Sequence, residues 1–533
     1  MDCRARLYKK TAGFLSAGCL LALTVQAYGV DDSASRAIRQ SFAVQPSACA
    51  PALTSAELQV PGLLHEFYAR QGFTPLWQEP SRRTALLHEL EQLADDGLEP
   101  NEYRLDHLRT PPPTGLQQRA CADLLISHSY LQALQHLARG RVAQESIEPF
   151  WRAPDSLNPT PRPSVLELAW QGLDDLPAAF ATARPALRQY QELRRAYAER
   201  RRRPLAEWPT IPGGRLLRPD MHDARVPLLA ARLAAEGYID EQPASDHYDA
   251  SLVAAVERFQ SRHGLQADGL IGPQSLTALN TSASARLEQL RVNLERWRWL
   301  AGDLEAQTLL VDIAGGQLSY YRDHQLLWQG RAQVGRPARQ TPQLKSLVSR
   351  LTLNPTWTVP PTIMREDKLP EIRRDLGYLQ RQQLRVLDRD GNPLNPATVD
   401  WQQPGAIILR QDAGPQNPLG QLAIRFANPF SVYLHDTPSQ HLFNKSPRTF
   451  SSGCVRIEGI LQLLDALLPV ADCAEIARLL ASGKTTEFPL RKRLPIVLAY
   501  WTATVDTDGA LILRNDLYAR DRKLLAALQR NNY

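Results

Sequence analysis

Residues 432–438, VYLHDTP, and residues 450–457, FSSGCVRI, decide the fold of the carboxyl-terminal part of this chain. In the first stretch the apolar residues Val432 and Leu434 alternate with polar ones, and the second alternates in the same way after Gly453. Alternation with a period of two is typical of β-strands that bury one face and present the other. We therefore expect both stretches to contain half-buried strands.

The polar faces of these strands carry side chains suited to covalent acyl transfer. Tyr433 and His435 share one face, and Cys454 and Arg456 share another. A thiol is mostly protonated at neutral pH, and a neighbouring imidazole or guanidinium favours the reactive thiolate. Gly453 allows close backbone approach, so the amides around it could line an oxyanion hole. An inert cysteine packed as a small apolar residue is the alternative on residue types alone.

The sequence around these stretches predicts further strands and an insert. Leu309–Ile313 and Gln317–Tyr321 flank Gly315-Gly316, which indicates a β-hairpin. Strand-like blocks follow at 326–334, 406–409, 422–426, 430–435, 496–505 and 511–514. A charged, helical insert at about 365–402 separates them. We expect 282–533 to form a mostly-β domain that carries a helical lid.

Upstream of residue 282 the periodicity is helical. Residues 52–216 form a predicted helical scaffold domain that ends in a linker, Pro204–Gly214. Arg200–Arg203 at a helix end is expected to be a solvated joint, with contact to an anionic polymer as the alternative. Residues 217–281 predict three short helices with a tight core. Such a module suits binding better than catalysis, although a spacer without ligand affinity is also possible. The fold class is thus multi-domain α+β.

Length and composition limit the function classes. The chain has 533 residues, of which 43% are hydrophobic and 22% charged, so wholesale disorder is excluded. Its net charge is +6, and residues 1–27 contribute half of it. Nothing in this balance requires a nucleic-acid partner.

The amino terminus has the pattern of a secretory signal peptide. Basic residues between Arg4 and Lys10 precede an apolar run, Ala12–Val25, and a small-residue site ending at Ala27. We predict cleavage near Ala27, with an uncleaved anchor as the alternative. Residues 28–51 are expected to form a flexible leader. Since no later stretch is long and apolar enough to cross a bilayer, the mature protein is expected in an oxidising exported compartment, the periplasm.

Four cysteines follow the predicted signal peptide: Cys49, Cys121, Cys454 and Cys473. Cys49 and Cys121 are candidates for a disulfide in an oxidising compartment. Cys473 lies near a predicted helix start, where a thiol pKa falls, but the apolar residues that follow it suggest packing. We expect Cys473 to be structural.

The sequence lacks the residue patterns that several other kinds of enzyme require. Gln92 stands where a zinc-binding helix containing His88-Glu89 would need its second histidine, and no phosphate-binding loop occurs. Papain-like proteases place their cysteine far upstream of their histidine, whereas here His435 precedes Cys454. We expect no metal and no cofactor.

His435, nineteen positions before Cys454 in Ser452-Gly453-Cys454-x-Arg456, resembles the motif of murein L,D-transpeptidases with a YkuD-type catalytic domain. The resemblance to the large, YcbB-like members covers most of 60–530 and extends to the peptidoglycan-binding module at 217–281. It includes Thr341-Pro342, Asn354–Trp357, Arg410-Gln411, Gly414-Pro415, Tyr500-Trp501, Asp516, Tyr518 and Asp521. Ser452 departs from the smaller members, many of which have histidine there.

The resemblance implies a role for each matching residue. Cys454 would be the nucleophile and His435 the general base. Arg456 and Ser452 would orient the site, and the Gly453 and Cys454 amides with Tyr433 would stabilise the oxyanion. The lid at 365–402, together with Trp357, would cover the donor peptide.

The resemblance also implies the reaction and its partners. The thiol would attack the diaminopimelate carbonyl of a peptidoglycan tetrapeptide stem and release D-alanine. The side-chain amine of a second stem's diaminopimelate would resolve the thioester, which crosslinks the cell wall. Water as acceptor would give an L,D-carboxypeptidase, and a protein acceptor would give attachment to the wall. An inactive peptidoglycan-binding scaffold is a further alternative, and reaction with a carbapenem would discriminate between them.

Overall fold

A computed structural model provides the fold of the chain. It describes residues 32–43, 49, 62–156, 164–205, 207–240 and 245–530. The predicted signal peptide, 1–27, lies outside the described residues. The chain divides into two compact units, of which the first comprises residues up to 76 with 112–124, and the second comprises 77–111 with 125–533.

The first unit contains the disulfide and a helix that the sequence analysis missed. Cys49 and Cys121 are joined by a disulfide bond. Residues Asp32–Ala43 form a helix in which Ala37 and Ile38 are buried. The expectation of a flexible leader is therefore wrong over these residues, because apolar side chains spaced three and four residues apart give the helix a face to bury.

The helices of both units follow the predicted pattern of short segments and tight connections. They are α1 (Asp32–Ala43), α2 (Leu63–Ala69), α3 (Pro80–Gln92), α4 (Leu105–Arg109), α5 (Leu116–Arg139), α6 (Gln144–Ile147), α7 (Val165–Gln171), α8 (Leu176–Ala183), α9 (Arg188–Arg201), α10 (Val226–Ala235), α11 (Ala250–Arg262), α12 (Pro273–Leu279), α13 (Ala283–Leu300), α14 (Pro361–Ile363), α15 (Leu369–Arg374), α16 (Tyr378–Arg381), α17 (Ile460–Leu467), α18 (Val470–Ala481) and α19 (Asp521–Gln529). No helix among the described residues has the length and apolar character needed to span a membrane.

The strands of the second unit form one large sheet and two small ones. They are β1 (Trp151–Arg152), β2 (Thr308–Asp312), β3 (Gln317–Arg322), β4 (Gln325–Gly335), β5 (Leu344–Leu353), β6 (Trp357–Thr358), β7 (Leu384–Leu387), β8 (Ile408–Gln411), β9 (Leu422–Phe426), β10 (Leu434–His435), β11 (Thr449–Ser451), β12 (Val455–Ile457), β13 (Thr486–Ala499), β14 (Ala503–Val505) and β15 (Leu511–Leu513). The large sheet has the order β1-β5-β13-β2-β3-β4-β12-β10-β9, with β11 beside β4 and β5 also paired to β9. The N-terminal region and the small module are helical, and the C-terminal domain is mostly β. This arrangement confirms the predicted α+β class.

The three-helix module forms as predicted. Helices α10, α11 and α12 enclose an apolar core of their own. The Asp249 side chain accepts a hydrogen bond from the Leu252 amide at 2.9 Å, which caps α11. Gly264 follows the end of α11 with a φ of +62°, a conformation that glycine adopts without strain.

The lid insert is helical over 361–381, and it also contributes strands. A π-helical turn, Met364–Lys368, connects α14 to α15. Strands β6, β8 and β7 form a three-stranded sheet beside these helices, and the insert has its own apolar core. The strand-like block predicted at 406–409 overlaps β8, which pairs with β6 and β7 on either side.

Candidate functional site

Strand pairing brings the two motif stretches side by side. β10 and β12 are parallel neighbours, with Leu434 opposite Val455 and His435 opposite Arg456. Leu434 and Val455 are fully buried in the core of the large sheet. Their neighbours along each strand therefore point to the opposite face, where Cys454 immediately precedes β12. The alternation predicted for each stretch is seen in the burial of Leu434, Val455 and Ile457.

The Cys454 thiol is half-buried at this face. Its Sγ donates to the Ser431 carbonyl at a Sγ···O distance of 3.7 Å. Burial raises the pKa of the thiol, and the nearby Arg425 and Arg456 guanidiniums oppose that shift. Among the described residues no hydrogen bond joins Sγ to the His435 ring, so the direct contact that we expected is not formed in this conformation.

The His435 ring is buried and neutral. Its Nδ1 lies 2.6 Å from the Asp436 carbonyl oxygen. Because a carbonyl can only accept, Nδ1 carries the proton in the neutral ring, and the Pro418 carbonyl also contacts the ring. Burial, with the positive charge of Arg456, lowers the pKa of His435 to about 3. The imidazole is therefore unprotonated throughout the neutral range.

The turn before Cys454 is held by hydroxyl groups. Gly453 has a φ of +116°, which favours glycine at this position. Its amide donates to Ser451 Oγ at 3.1 Å, and the Ser451 hydroxyl donates in turn to the Cys454 carbonyl. The sequence analysis assigned the Gly453 amide to an oxyanion hole, but this N–H already has an acceptor. The Gly453 amide is occupied because the Ser451 side chain closes the turn through this hydrogen bond.

A second hydroxyl fixes the same turn from the core side. The fully buried Thr341 donates through Oγ1 to the Gly453 carbonyl at 2.9 Å and accepts from the Gly335 amide at 2.9 Å. The Tyr518 hydroxyl donates to the Gly335 carbonyl at 2.5 Å and accepts from the Thr341 amide at 3.2 Å. The analysis of the sequence quoted Thr341 and Tyr518 without a role, and these hydrogen bonds support the turn before Cys454.

Tyr433 lies between the thiol and the insert. Its ring centroid is 5.5 Å from that of His435, and it packs against the main core and the core of the insert. Burial, with the charge of Cys454, raises the pKa of Tyr433 to about 12, so its hydroxyl keeps a proton to donate. Trp357 lies in β6, 9% exposed, inside the core of the insert. Trp357 therefore stabilises the insert and presents little surface of its own.

Arg456 projects beside His435 without an acidic partner in the described chain. Its Nη1 donates to Oε1 of the buried Gln333 at 3.1 Å. Its Nε is buried and has no hydrogen-bond partner. Burial lowers the pKa of Arg456, and the neighbouring Cys454 counteracts this shift.

Arg425 is a site residue that the sequence analysis missed. The register places it opposite Tyr433, because Leu434 pairs with Ile424. Its guanidinium carbon lies 3.9 Å from the Tyr433 ring centroid, and its charge acts on Cys454. The signal was present in the sequence, since Arg425 is the charged residue on the outward face of an otherwise apolar strand, Leu422–Phe426.

Ser452 connects the nucleophile turn to the insert through Arg339. The Arg339 Nη1 donates to Ser452 Oγ at 3.0 Å and to Asp367 Oδ2 at 2.6 Å. Its Nη2 contacts Glu366 Oε2 at 2.6 Å. Glu366 and Asp367 belong to the π-helical turn Met364–Lys368, so the insert is bound by charge to a residue two positions before Cys454.

Cys473 has a different environment. Its thiol contacts the carbonyls of Leu464 and Leu468 at 3.6 and 3.9 Å. Burial raises its pKa, and the charges of Asp465 and Asp472 raise it further. This environment suits a packed, unreactive thiol.

Comparison with known families gives a match over the stretch of chain that contains His435 and Cys454. Residues 306–476 match the family model of the L,D-transpeptidase catalytic domain (YkuD). This part of the chain is therefore similar to L,D-transpeptidase catalytic domains. Residues 62–196, ahead of this region, match the model "Scaffold domain", and residues 222–279 match "Putative peptidoglycan binding domain".

A curated relative of this chain comes from Haemophilus influenzae and bears the name "Putative L,D-transpeptidase". It is 34% identical over 300 residues, which make up 54% of this chain. The chain matches 60% of that relative's length.

Solved structures of L,D-transpeptidases also resemble parts of the chain. One from Mycobacterium smegmatis is 13% identical, with 36% of this chain and 58% of that chain covered and a TM-score of 0.18. One from Xylanimonas cellulosilytica is 15% identical, with 54% and 99% covered and a TM-score of 0.17. A further L,D-transpeptidase, in complex with imipenem, is 15% identical, with 36% and 59% covered and a TM-score of 0.18.

Proposed function

We propose that the chain is a cysteine-dependent L,D-transpeptidase that crosslinks peptidoglycan. The observation that carries this proposal is the placement of Cys454 and His435 on one face of adjacent strands, within the region that matches the family's catalytic domain. In the first half-reaction Cys454 attacks the carbonyl of diaminopimelate in a tetrapeptide stem. The C–S bond forms, the amide C–N bond breaks, and D-alanine leaves.

In the second half-reaction the side-chain amine of another stem attacks the thioester. The new C–N bond forms as the C–S bond breaks, and the thiol recovers its proton. The product joins two diaminopimelate residues. With water as the nucleophile, the same thioester would give a shortened stem without a crosslink.

His435 would move the protons in both half-reactions. Its Nδ1 proton is bound to the Asp436 carbonyl, so Nε2 is the atom that can receive the thiol proton and pass it to the leaving amine. The thiol would turn from the Ser431 carbonyl toward the ring when substrate binds, since catalytic hydrogen bonds commonly tighten only in the complex. A neutral thiol beside a neutral imidazole is the resting state that both pKa shifts favour.

The Cys454 amide and the Tyr433 hydroxyl are the donors that we assign to the oxyanion, because the Gly453 amide is occupied. Arg456 would add positive charge at the same face. Ser452 would act indirectly, by fixing the turn to Arg339.

The insert would exclude water from the thioester and so favour the amine acceptor. Its core packs on Tyr433, and Trp357 would support the surface that covers the donor peptide. The module at 217–281 would hold the enzyme on the cell wall. These roles require export, and the predicted signal peptide would deliver the protein to the periplasm.

Mass spectrometry of muropeptides tests the proposal. Cells lacking redundant enzymes would express wild-type protein, Cys454→Ala or the control Cys473→Ala. We expect diaminopimelate–diaminopimelate dimers with wild type and Cys473→Ala, and none with Cys454→Ala. Intact mass should show a carbapenem adduct on the same two active proteins only. Dimers that persist with Cys454→Ala would contradict the assignment, and an absent adduct would favour an inactive scaffold.

A further inference from the structure

Two arginine guanidiniums flank the candidate nucleophile, and no acidic side chain among the described residues neutralises their charge. Arg425 and Arg456 both act electrostatically on Cys454, and neither forms an ion pair with another described residue. By contrast, Arg350, which pairs with Arg425 in the sheet, is neutralised by Glu487 at 3.0 Å. Half-buried positive charges without a counter-charge indicate a site that receives an anion.

The side chain of Arg425 is held in a definite orientation. Its Nε donates to Thr352 Oγ1 at 3.1 Å, and the guanidinium lies over the Tyr433 ring. These contacts bring the charge from β9 across to β10, the strand next to Cys454. The guanidinium is near enough to the thiol for its charge to act on it.

We propose that Arg425, supported by Arg456, binds the C-terminal carboxylate of the donor peptide and so determines donor specificity. This inference rests on the proposed function. The carboxylate of the leaving residue is separated from the attacked carbonyl by one nitrogen and one Cα, a span of about 4 Å by standard geometry. A carboxylate so close to the attacked carbonyl lies within the field of Arg425, whose charge acts on the thiol.

The consequence is a length filter on the donor. A stem with a single residue after the attacked carbonyl presents a carboxylate to Arg425. A stem with two residues presents a neutral amide at the same place, which leaves the positive charge unpaired. Arg425 is thus a specificity-determining residue in addition to the predicted site residues.

The anion site can be tested without a peptide, by comparing iodoacetate with iodoacetamide. Both reagents alkylate the same thiolate, so the ratio of their rates cancels any change in thiol pKa. In a Cys473→Ser background, we expect the rate ratio to fall about three- to tenfold in Arg425→Gln, as expected for loss of one charge at this distance. Arg425→Lys should retain most of the ratio, and the control Arg350→Gln all of it. An unchanged ratio in Arg425→Gln would overturn the proposal.

Peptide donors then test which carboxylate is bound. The probes are a tetrapeptide stem with a free C-terminus, the same stem as a C-terminal amide, and one with its diaminopimelate carboxylate amidated. We expect Arg425→Gln to lower kcat/KM for the free acid about 10- to 100-fold and to leave the C-terminal amide nearly unaffected. An equal loss of kcat/KM on the free acid and on the C-terminal amide would refute the assignment. A loss that disappears when the diaminopimelate carboxylate is amidated would refute it as well. Cleavage of none of the three by wild type, with the iodoacetate preference intact, would refute the proposed function and leave the anion site standing.

Discussion

Thr341 supports the Cys454 turn through a single hydroxyl group. Its Oγ1 satisfies two buried backbone groups, the Gly335 amide and the Gly453 carbonyl. Thr341→Val keeps the volume and removes the hydroxyl, which leaves both groups unpaired. Each unpaired buried group costs about 1–3 kcal/mol, so we expect a lower free energy of unfolding by urea denaturation and a reduced kcat.

Thr341→Ser is the matched control because it keeps Oγ1 and loses only a methyl group. We expect it to retain most of the stability and nearly all of the kcat. Equal losses in the two variants would show that packing at this position, and not the hydroxyl, supports the nucleophile.

The predictability of the site depends on which interactions are local. The faces that carry Cys454 and His435 could be predicted because alternation along each strand fixes which side chains lie opposite the core. Their roles were assigned from the resemblance to L,D-transpeptidases. Arg425 could not be placed, since its position beside Tyr433 depends on pairing between strands, which no local pattern specifies. The hydrogen bond of the Gly453 amide could not be predicted either, because it depends on the rotamer of Ser451.

At the scale of elements, the π-helical turn Met364–Lys368 carries the charges that bind the insert to Arg339. Glu366 and Asp367 both contact Arg339. Glu366→Gln combined with Asp367→Asn removes these contacts, and we expect the insert to open more often. Hydrogen exchange should increase over 361–381, and the ratio of hydrolysis to crosslinking should rise, because water reaches the thioester.

Glu371→Gln combined with Asp375→Asn provides the control for the insert. These acids pair only with Arg374 and Arg381 inside the insert, so their removal leaves the contact to Arg339 intact. The control should show wild-type exchange and product ratio. An unchanged product ratio in the Glu366 and Asp367 double variant would contradict the closing role.

Elements with long periodic patterns were predictable, and short ones were not. The hairpin of β2 and β3 and the three helices of the module formed where expected. In the small sheet, β8 overlaps the block predicted at 406–409, but β6 and β7 were missed because two and four residues are too few for a pattern to emerge. The strand expected over 430–435 is shortened to Leu434–His435 because the Asn428 side chain binds the backbone of the preceding loop.

At the scale of the whole second unit, helix α13 joins the scaffold to the catalytic domain through buried charges. Arg296 contacts Glu148 of the scaffold and Asp521 of α19, each at 2.6 Å. Arg296→Met would leave both carboxylates without their partner, and such losses cost about 3–5 kcal/mol. We expect a correspondingly lower free energy of unfolding, measured by urea denaturation.

Two variants separate this network from general effects of losing an arginine. Arg188→Met removes a more exposed ion pair with Glu192 and should cost less than about 1 kcal/mol. Arg296→Met combined with Glu148→Met removes one buried charge of each sign and should recover part of the loss. Equal destabilisation by Arg188→Met and Arg296→Met would contradict the account.

The last prediction concerns acid sensitivity, which arises from three buried histidines in different parts of the second unit. Burial lowers the pKa of His136, His263 and His435 to about 3 in each case. An unfolded histidine has a pKa of about 6.5, so between these values the unfolded chain binds more protons than the folded one. Stability therefore rises with pH through this window and is lost as the pH falls below about 6.5.

Each ring contributes up to about 1.4 kcal/mol per pH unit, which makes the slope measurable. Urea denaturation at pH 7, 6 and 5 should show a free energy of unfolding that falls progressively with acidity. His263→Gln should reduce the slope by about the share of one proton, whereas the exposed control His324→Gln should leave it unchanged. A slope that His263→Gln leaves intact would mean that this ring is protonated in the folded module, because only a ring that gains its proton on unfolding can contribute.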